Sequence, residues 1–303
     1  MKKYTKIAIL ASFFGLWLDS FLNTNLQILL GFLLIFSFGI LHGANDLLLI
    51  KKSSAIKYSN STLKWLGYYL IVLLMGIVLF FILPQIALIL FIIVSAYHFG
   101  EQQWQNLQNF FPKWLITLFQ LSYGLVILLL LFTIHLHEVK EIMFGITNSL
   151  VPNHYFYIVF YCFSAVFLSL ISYFYWKTNK IRTQIRLELF HLLIFAIIFK
   201  SSSLIWGFAI YFIVWHSIPS IIDQISFIEG TFSLKHFTTY CKSAWLYWLI
   251  SIIGIITLYS VFRETHLFNA LFFSFLAAIT FPHVIVITRM FYIKKAQKKP
   301  SHY

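Results

Sequence analysis

The chain has 303 residues, of which 60% are hydrophobic, 20% are aromatic and only 10% are charged. Soluble domains are about 45–50% apolar and about 25% charged, and a soluble fold of this size could not bury so much apolar surface. Together with a mean hydropathy of +0.85, this composition excludes a soluble enzyme, a disordered chain and, despite a net charge of +13, a nucleic-acid-binding protein. It predicts a protein that crosses the membrane several times.

Ten apolar runs of spanning or near-spanning length follow one another along the chain. They lie at about residues 6–22, 26–50, 65–83, 85–104, 114–134, 155–176, 187–199, 203–224, 243–262 and 267–293. The runs lack the alternation of a barrel strand, and the run at 187–199 is short enough to be tilted or re-entrant. We predict an all-α bundle of about eight to ten transmembrane helices. It forms a single integral membrane domain over 1–303, with short basic tails at 1–5 and 294–303.

The distribution of basic residues predicts how these helices are oriented. With the N-terminus inside, 18 of the 22 Lys and Arg residues fall in the inner segments, and only Lys140, Lys200 and Arg263 fall in the outer ones. Arg289 lies near the inner end of the last helix. The positive-inside rule then predicts an even number of helices with both termini cytoplasmic, in a multi-pass protein of the cell membrane, either plasma or inner. The net positive charge reflects this topology and attraction to anionic lipid.

Four of the eleven histidines, His42, His98, His216 and His283, lie inside predicted helices. Each lies about 7–11 residues from the cytoplasmic end of its helix, which corresponds to roughly 10–16 Å. Histidines from four helices at one depth can converge on one point, and neutral imidazole is the commonest protein ligand for metals. The pattern therefore predicts a site for Fe, Cu, Zn or Ni. Taken singly, each histidine could instead bond a neighbouring helix.

Acidic residues accompany two of these histidines. Asp46 follows His42 by four residues and Glu101 follows His98 by three, so each carboxylate is expected on the same helical face as its histidine. A carboxylate in that position can orient a metal-binding imidazole through its second nitrogen. Glu188 opens the short seventh run and suits the headgroup region equally well.

Motifs of several other membrane proteins are absent from the sequence. There is no His-x-x-His-His box of a di-iron desaturase or hydroxylase, and no His-Glu-x-x-His of an intramembrane zinc protease. There is no serine nucleophile elbow and no embedded lysine with a partner acid, as a retinal-binding opsin would have. Two cysteines, Cys162 and Cys241, are too few for a disulfide framework or a thiolate metal site.

Around the embedded histidines, the sequence resembles the bacteriorhodopsin-related-protein/Blh family of membrane β-carotene 15,15′-dioxygenases. The resemblance runs from about residue 30 to 293 and is carried by His42-Gly43-x-x-Asp46, His98-Phe99-Gly100, His216-Ser217 and Pro282-His283. It implies a non-haem Fe(II) enzyme that splits the central double bond of β-carotene with O₂ and releases two all-trans-retinal molecules.

The resemblance also implies which residues hold the iron. It implies histidine ligands at His42, His98 and His216. Family members often carry a further histidine at the position of Ser220. Because that histidine is missing here, His283, which its depth singles out independently, is our candidate for the fourth ligand, with water as the alternative. Asp46 and Glu101 are the candidates for orienting the ligands.

The implied substrate explains the aromatic composition. β-Carotene is a hydrocarbon dissolved in the bilayer, so a tunnel of matching shape and length must select its middle bond. The candidate tunnel residues are Tyr97, Trp104, Trp206, Tyr211, Trp215 and Phe281. The expected partners are β-carotene, O₂ and membrane lipid, with a retinal-binding opsin as a candidate product acceptor.

Two other functions remain open from the residues alone. In a transporter or proton-linked carrier, the intramembrane histidines and Asp46 would form a proton relay and bind no metal. In a non-catalytic relative, the same fold would bind carotenoid or retinal without cleaving it, which the Ser220 departure would suit.

Overall fold

The computed structural model describes residues 2–57, 62–105, 107, 110–261 and 265–298. Within these ranges the chain is almost entirely helical and contains no strand. The α-helices are α1 (Lys2–Asp19), α2 (Thr24–Leu34), α3 (Ile40–Gly43), α4 (Asp46–Lys57), α5 (Thr62–Ile82), α6 (Pro84–Gln103), α7 (Lys113–Ile134), α8 (Leu136–Thr147), α9 (Asn153–Lys177), α10 (Arg182–Ser201), α11 (Leu204–Ile210), α12 (Ile218–Glu229), α13 (Leu234–Val261) and α14 (Thr265–Lys298).

Two π-helical segments and one 3₁₀ turn join some of these helices. Ile35–Gly39 connects α2 with α3, and Tyr211–Ser217 connects α11 with α12. Asn179–Ile181 is the 3₁₀ turn between α9 and α10. Both π-helical segments lie within apolar runs that the sequence analysis predicted as single spans, and each lies within a few residues of an embedded histidine. Such π-helical insertions are frequent at functional sites.

The prediction of an all-α, polytopic membrane protein is confirmed. Among the described residues, seven helical stretches are long and apolar enough to cross a membrane: Thr24–Ser53, Leu63–Ile82, Pro84–Gln103, Lys113–Ile134, Asn153–Lys177, Leu204–Glu229 and Ala270–Gln297. The other three predicted runs fall mainly on α1, α10 and α13 within the described residues.

Two helices differ from the sequence prediction. The short run predicted at 187–199 is part of the longer helix α10, which begins at Arg182. The first turns of α10 are rich in polar residues, so the apolar run does not include them. Helix α8 was not predicted, since its charged residues interrupt any apolar run.

The chain divides into two compact units. The first unit comprises Met1–Ile35, Ser95–Glu141 and Ser149–Ser217, and the second comprises Phe36–Val94, Ile142–Asn148 and Ile218–Tyr303. The single membrane domain over 1–303 stays a prediction.

In the first unit, α7 packs against α9 and α10, and α11 packs against α2. The residues of α6 that belong to this unit lie directly on α7. A Cβ atom at Gly100 would overlap the backbone carbonyl of Gln120, and one at Gly124 would overlap that of Ala96. These two glycines therefore let α6, the helix that carries His98, lie closely against α7.

In the second unit, α14 packs against α4 and α5, and α3 packs against α13. A cluster of buried apolar side chains fills the space between these helices. It consists of Leu49, Ile50, Phe227, Val286, Ile287, Met290, Phe291 and Ile293. This packing fixes α14, which carries His283, relative to the segment that carries His42.

Candidate metal centre

His42 and His283 face each other in the second unit. His42 lies on the short helix α3, and His283 follows Pro282 within α14. Both side chains are buried, at 3% and 4% exposure. The Nε2 atoms of the two rings are 2.8 Å apart, and the ring centroids are 4.4 Å apart with the planes nearly perpendicular. Two imidazole nitrogens from separate helices thus point at one small volume.

Asp46 holds the ring of His283. One carboxylate oxygen of Asp46 lies 2.7 Å from His283 Nδ1, and the other accepts a hydrogen bond from the Tyr69 hydroxyl at 3.3 Å. We expected the carboxylate on the face of His42, four residues earlier. A turn at residues 44–45 separates α3 from α4, and the carboxylate contacts His283 of α14.

Gln224 holds the other side of His42. Its amide nitrogen lies 3.3 Å from His42 Nδ1 and donates to the His42 carbonyl at 3.0 Å. It also lies 3.2 Å from the hydroxyl of Ser220, and the Tyr240 hydroxyl donates to its amide oxygen at 2.8 Å. Sequence reasoning missed Gln224. The only signal was a polar amide within an apolar run, one helical turn after Ser220.

His98 and His216 form a second pair, in the first unit. Both are buried, and their ring centroids are 4.7 Å apart. The ring of Phe99 lies 4.5 Å from the ring of His216. The amide nitrogen of Gln102 donates to the backbone carbonyl of His216 at 3.0 Å. His216 belongs to the π-helical segment, where that carbonyl is open to a side-chain donor.

Glu101, expected to orient His98, is buried in the first unit. Its carboxylate accepts a hydrogen bond from the hydroxyl of Tyr97 at 2.9 Å. Tyr97 precedes it by one helical turn on α6, so the two side chains share a face. The orienting role of Glu101 stays a prediction.

The candidate tunnel residues lie in different surroundings. Trp104 is completely buried against Phe119 and Tyr123 of α7. The residues Trp206, Tyr211 and Trp215 are also buried in the first unit. Tyr97 is half-buried, as is Phe281 in the second unit. The structure thus gives the three tryptophans and Tyr211 a packing role, and the tunnel stays a prediction.

A further buried polar cluster surrounds Glu188 in the first unit. The Glu188 carboxylate accepts from the Gln103 amide at 2.6 Å and from the Tyr123 hydroxyl at 3.1 Å, and His191 Nδ1 lies 3.2 Å away. Glu188 is therefore a buried acid with several polar partners. The ring of His191 packs against Trp215 at 4.7 Å.

The donor set of the second unit suits a transition metal. Two nitrogens that bind one ion at about 2.1 Å, as in zinc–imidazole sites, lie about 3.0–3.4 Å apart. His42 Nε2 and His283 Nε2 are 2.8 Å apart, so a small outward movement of the two rings would make room for an ion between them. The carboxylate on His283 Nδ1 is the usual outer partner of a metal-binding histidine. The thioether or thiolate sulfur that softer metals prefer is not among these groups, and imidazole nitrogens suit Fe, Cu, Zn or Ni.

Comparison with known proteins gives one match. A family model described as Beta-carotene 15,15'-dioxygenase matches residues 33–291 of the chain. That range includes His42, His98, His216 and His283. No curated protein and no solved structure matches the chain significantly.

Proposed function

Because the chain belongs to the beta-carotene 15,15'-dioxygenase family, we propose that it cleaves the central double bond of β-carotene with O₂ in the cell membrane. The C15=C15′ bond breaks, and each of its carbons becomes the aldehyde carbon of one all-trans-retinal. One O₂ accounts for both aldehyde oxygens, so the reaction needs no further reductant.

The proposed cofactor is one Fe²⁺ held by four histidines. His42 and His283 would contribute their Nε2 atoms, and His98 and His216 would contribute one ring nitrogen each. All four are buried, and neutral imidazoles suit Fe(II) while leaving its charge uncompensated. When bound, the iron would supply the redox chemistry that lets O₂ react with a polyene.

One observation supports this assignment most strongly. His283 Nδ1 contacts the Asp46 carboxylate while its Nε2 points at His42 Nε2. A carboxylate on the far nitrogen fixes the tautomer and orientation of a metal-binding imidazole. His283 therefore takes the role of the histidine that the resemblance places at Ser220, whose buried hydroxyl contacts Gln224 beside His42.

The chain itself would bind, position and shield the substrate. The polyene carries no polar group, so its position depends on the shape of an apolar, aromatic-lined path. Burial of the histidines keeps bulk water from the reacting carbons, which limits side reactions. An enzyme within the bilayer receives β-carotene from the lipid, and the product can return there or pass to a retinal-binding opsin.

A proton relay is the second candidate function. The chain of contacts from Gln224 through His42 and His283 to Asp46 and Tyr69 resembles a hydrogen-bonded path for protons. A relay needs no iron, and it predicts no change in carotenoid content. The two functions therefore give opposite results in one experiment.

That experiment expresses the full chain in bacteria engineered to accumulate β-carotene. We expect the orange colour to fade while retinal appears in the extract, measured by liquid chromatography. The variant His283→Ala should leave the colour unchanged, whereas His137→Ala, at an exposed position, should behave as the natural chain. Persistent colour in cells with verified membrane expression of the natural chain would contradict the proposal, and so would full retinal production by His283→Ala.

A further inference from the structure

A small crevice opens between α4, α5 and α14 of the second unit. Its lining residues are Ile50, Ser53, Trp65, Ile285, Val286 and Arg289. Most of this lining is apolar. The guanidinium carbon of Arg289 lies 3.7 Å from the centroid of the Trp65 ring, a close cation–π contact. The crevice therefore combines apolar walls with one fixed positive charge.

Arg289 has no anionic partner among the residues that the structure describes. The acids Asp46 and Asp223 of this unit are engaged elsewhere, by His283 and by Lys294 respectively. Arg289 lies within the membrane-spanning stretch Ala270–Gln297. A cation in such a stretch is normally paired or reaches the headgroup region, and no acid of the described residues pairs with this arginine.

Ser53 adds a second group without a partner. Ser53 is 1% exposed, and its buried hydroxyl makes no hydrogen bond with any other described residue. A buried hydroxyl without a partner is costly, and a ligand oxygen in the crevice would satisfy it. Arg289 and Ser53 line the same small space, so one anionic group could accept from both.

Further basic residues surround the crevice. Lys51 and Lys52 directly precede Ser53 on α4 and are exposed, and the exposed Lys64 precedes Trp65 on α5. The positive-inside rule places these lysines at the cytoplasmic face, where anionic phospholipids attract basic segments.

We propose that this crevice binds the phosphate group of an anionic phospholipid from the cytoplasmic leaflet. The Arg289 guanidinium and the Ser53 hydroxyl donate hydrogen bonds to the phosphate oxygens. The apolar side chains of Ile50 and Ile285 contact the adjoining part of an acyl chain. A lipid is favoured over free phosphate because the crevice is lined mainly by apolar side chains and lies on membrane-spanning helices. This inference does not depend on the proposed enzymatic function.

Native mass spectrometry of the purified full chain tests the proposal. The chain is incubated in detergent with equimolar phosphatidylglycerol and phosphatidylcholine, and the occupancy of each lipid is measured. We expect phosphatidylglycerol to be retained over phosphatidylcholine. Arg289→Gln should weaken that retention about tenfold, which corresponds to the loss of one charge-assisted contact. Ser53→Ala should weaken it less, and Arg289→Lys should keep part of it, because lysine retains the charge without the planar fork.

The matched control is Lys242→Gln, which removes one positive charge from an exposed position on α13 of the same unit and should leave retention unchanged. Equal retention of the two lipids, or unchanged retention in both Arg289→Gln and Ser53→Ala, would overturn the proposal. If Arg289→Gln fails to fold, the retention of phosphatidylglycerol by Arg289→Lys and Ser53→Ala replaces it as the test. Unchanged retention in both of these variants would then overturn the proposal. Displacement of phosphatidylglycerol by millimolar inorganic phosphate would identify the ligand as free phosphate and refute the lipid assignment.

Discussion

The contacts of Asp46, His283 and Gln224 show which parts of the candidate metal centre can be predicted from single residues and which cannot. The depth of His283 in its helix singled it out from the sequence, and the structure pairs it with His42. Nothing in the sequence indicates that Asp46 contacts His283 of a distant helix, and its role in orienting a ligand stays a prediction. Gln224 was missed, since a lone amide in an apolar run carries no recognisable spacing. Contacts between distant helices depend on packing, which local patterns do not encode.

At the residue scale, we predict that Asp46→Asn weakens iron binding about 10–100-fold, because the amide no longer holds His283 Nδ1 as a charged acceptor. The measurement is a titration of the purified protein with an iron chelator. Asp223→Asn is the matched control, because Asp223 forms a partly exposed ion pair with Lys294. This variant should bind iron normally. Equal iron affinity in Asp46→Asn and the natural chain would contradict the role given to Asp46.

At the scale of elements, the hydrophobic runs predicted where the helices lie but not how they begin or bend. The polar first turns of α10 and the charged residues of α8 fall outside any hydropathy pattern. The π-helical segment Tyr211–Ser217 lies inside the apolar run at 203–224, which the sequence predicted as one span. Gly100 and Gly124 mark close packing between α6 and α7, because a residue without a side chain lets a neighbouring helix approach.

The contact between α6 and α7 gives the prediction for this scale. Gly100→Ala should destabilise the protein by about 1–3 kcal/mol or more, because the added Cβ meets the backbone of α7 and no side-chain rotation relieves the overlap. The measurement is the thermal unfolding midpoint in detergent.

Gly67→Ala on α5 is the matched control. Nothing lies within 4 Å of a Cβ at that position, so alanine should be neutral or stabilise the helix by about 0.5–1 kcal/mol. If the two variants unfold at the same temperature, the close packing of α6 on α7 is wrong.

At the scale of the whole molecule, composition predicted the class of protein, which the apolar helices confirm, and the basic residues predict its orientation. Neither revealed the two compact units, because their boundaries fall inside helices at Ile35, Val94 and Ser217 and leave no linker in the sequence. The four histidines divide evenly between the units, with His98 and His216 in the first and the other two in the second.

The topology gives the prediction for the whole molecule. A green fluorescent protein fused after residue 303 should fluoresce, because the C-terminus is predicted to be cytoplasmic. Alkaline phosphatase fused after Val151, in the predicted outer segment between α8 and α9, should be active because it folds outside the cytoplasm. A C-terminal fusion that does not fluoresce, together with an inactive phosphatase fusion, would show that the orientation is opposite to the predicted one.

The iron content of the purified chain tests the central claim most directly. Elemental analysis should find about one iron per chain, as expected for a single four-histidine site. His42→Ala and His283→Ala should each lose most of that iron, while His137→Ala, at an exposed histidine, should retain it. A natural chain that cleaves β-carotene without bound iron, or iron retained in full by both His42→Ala and His283→Ala, would contradict the account.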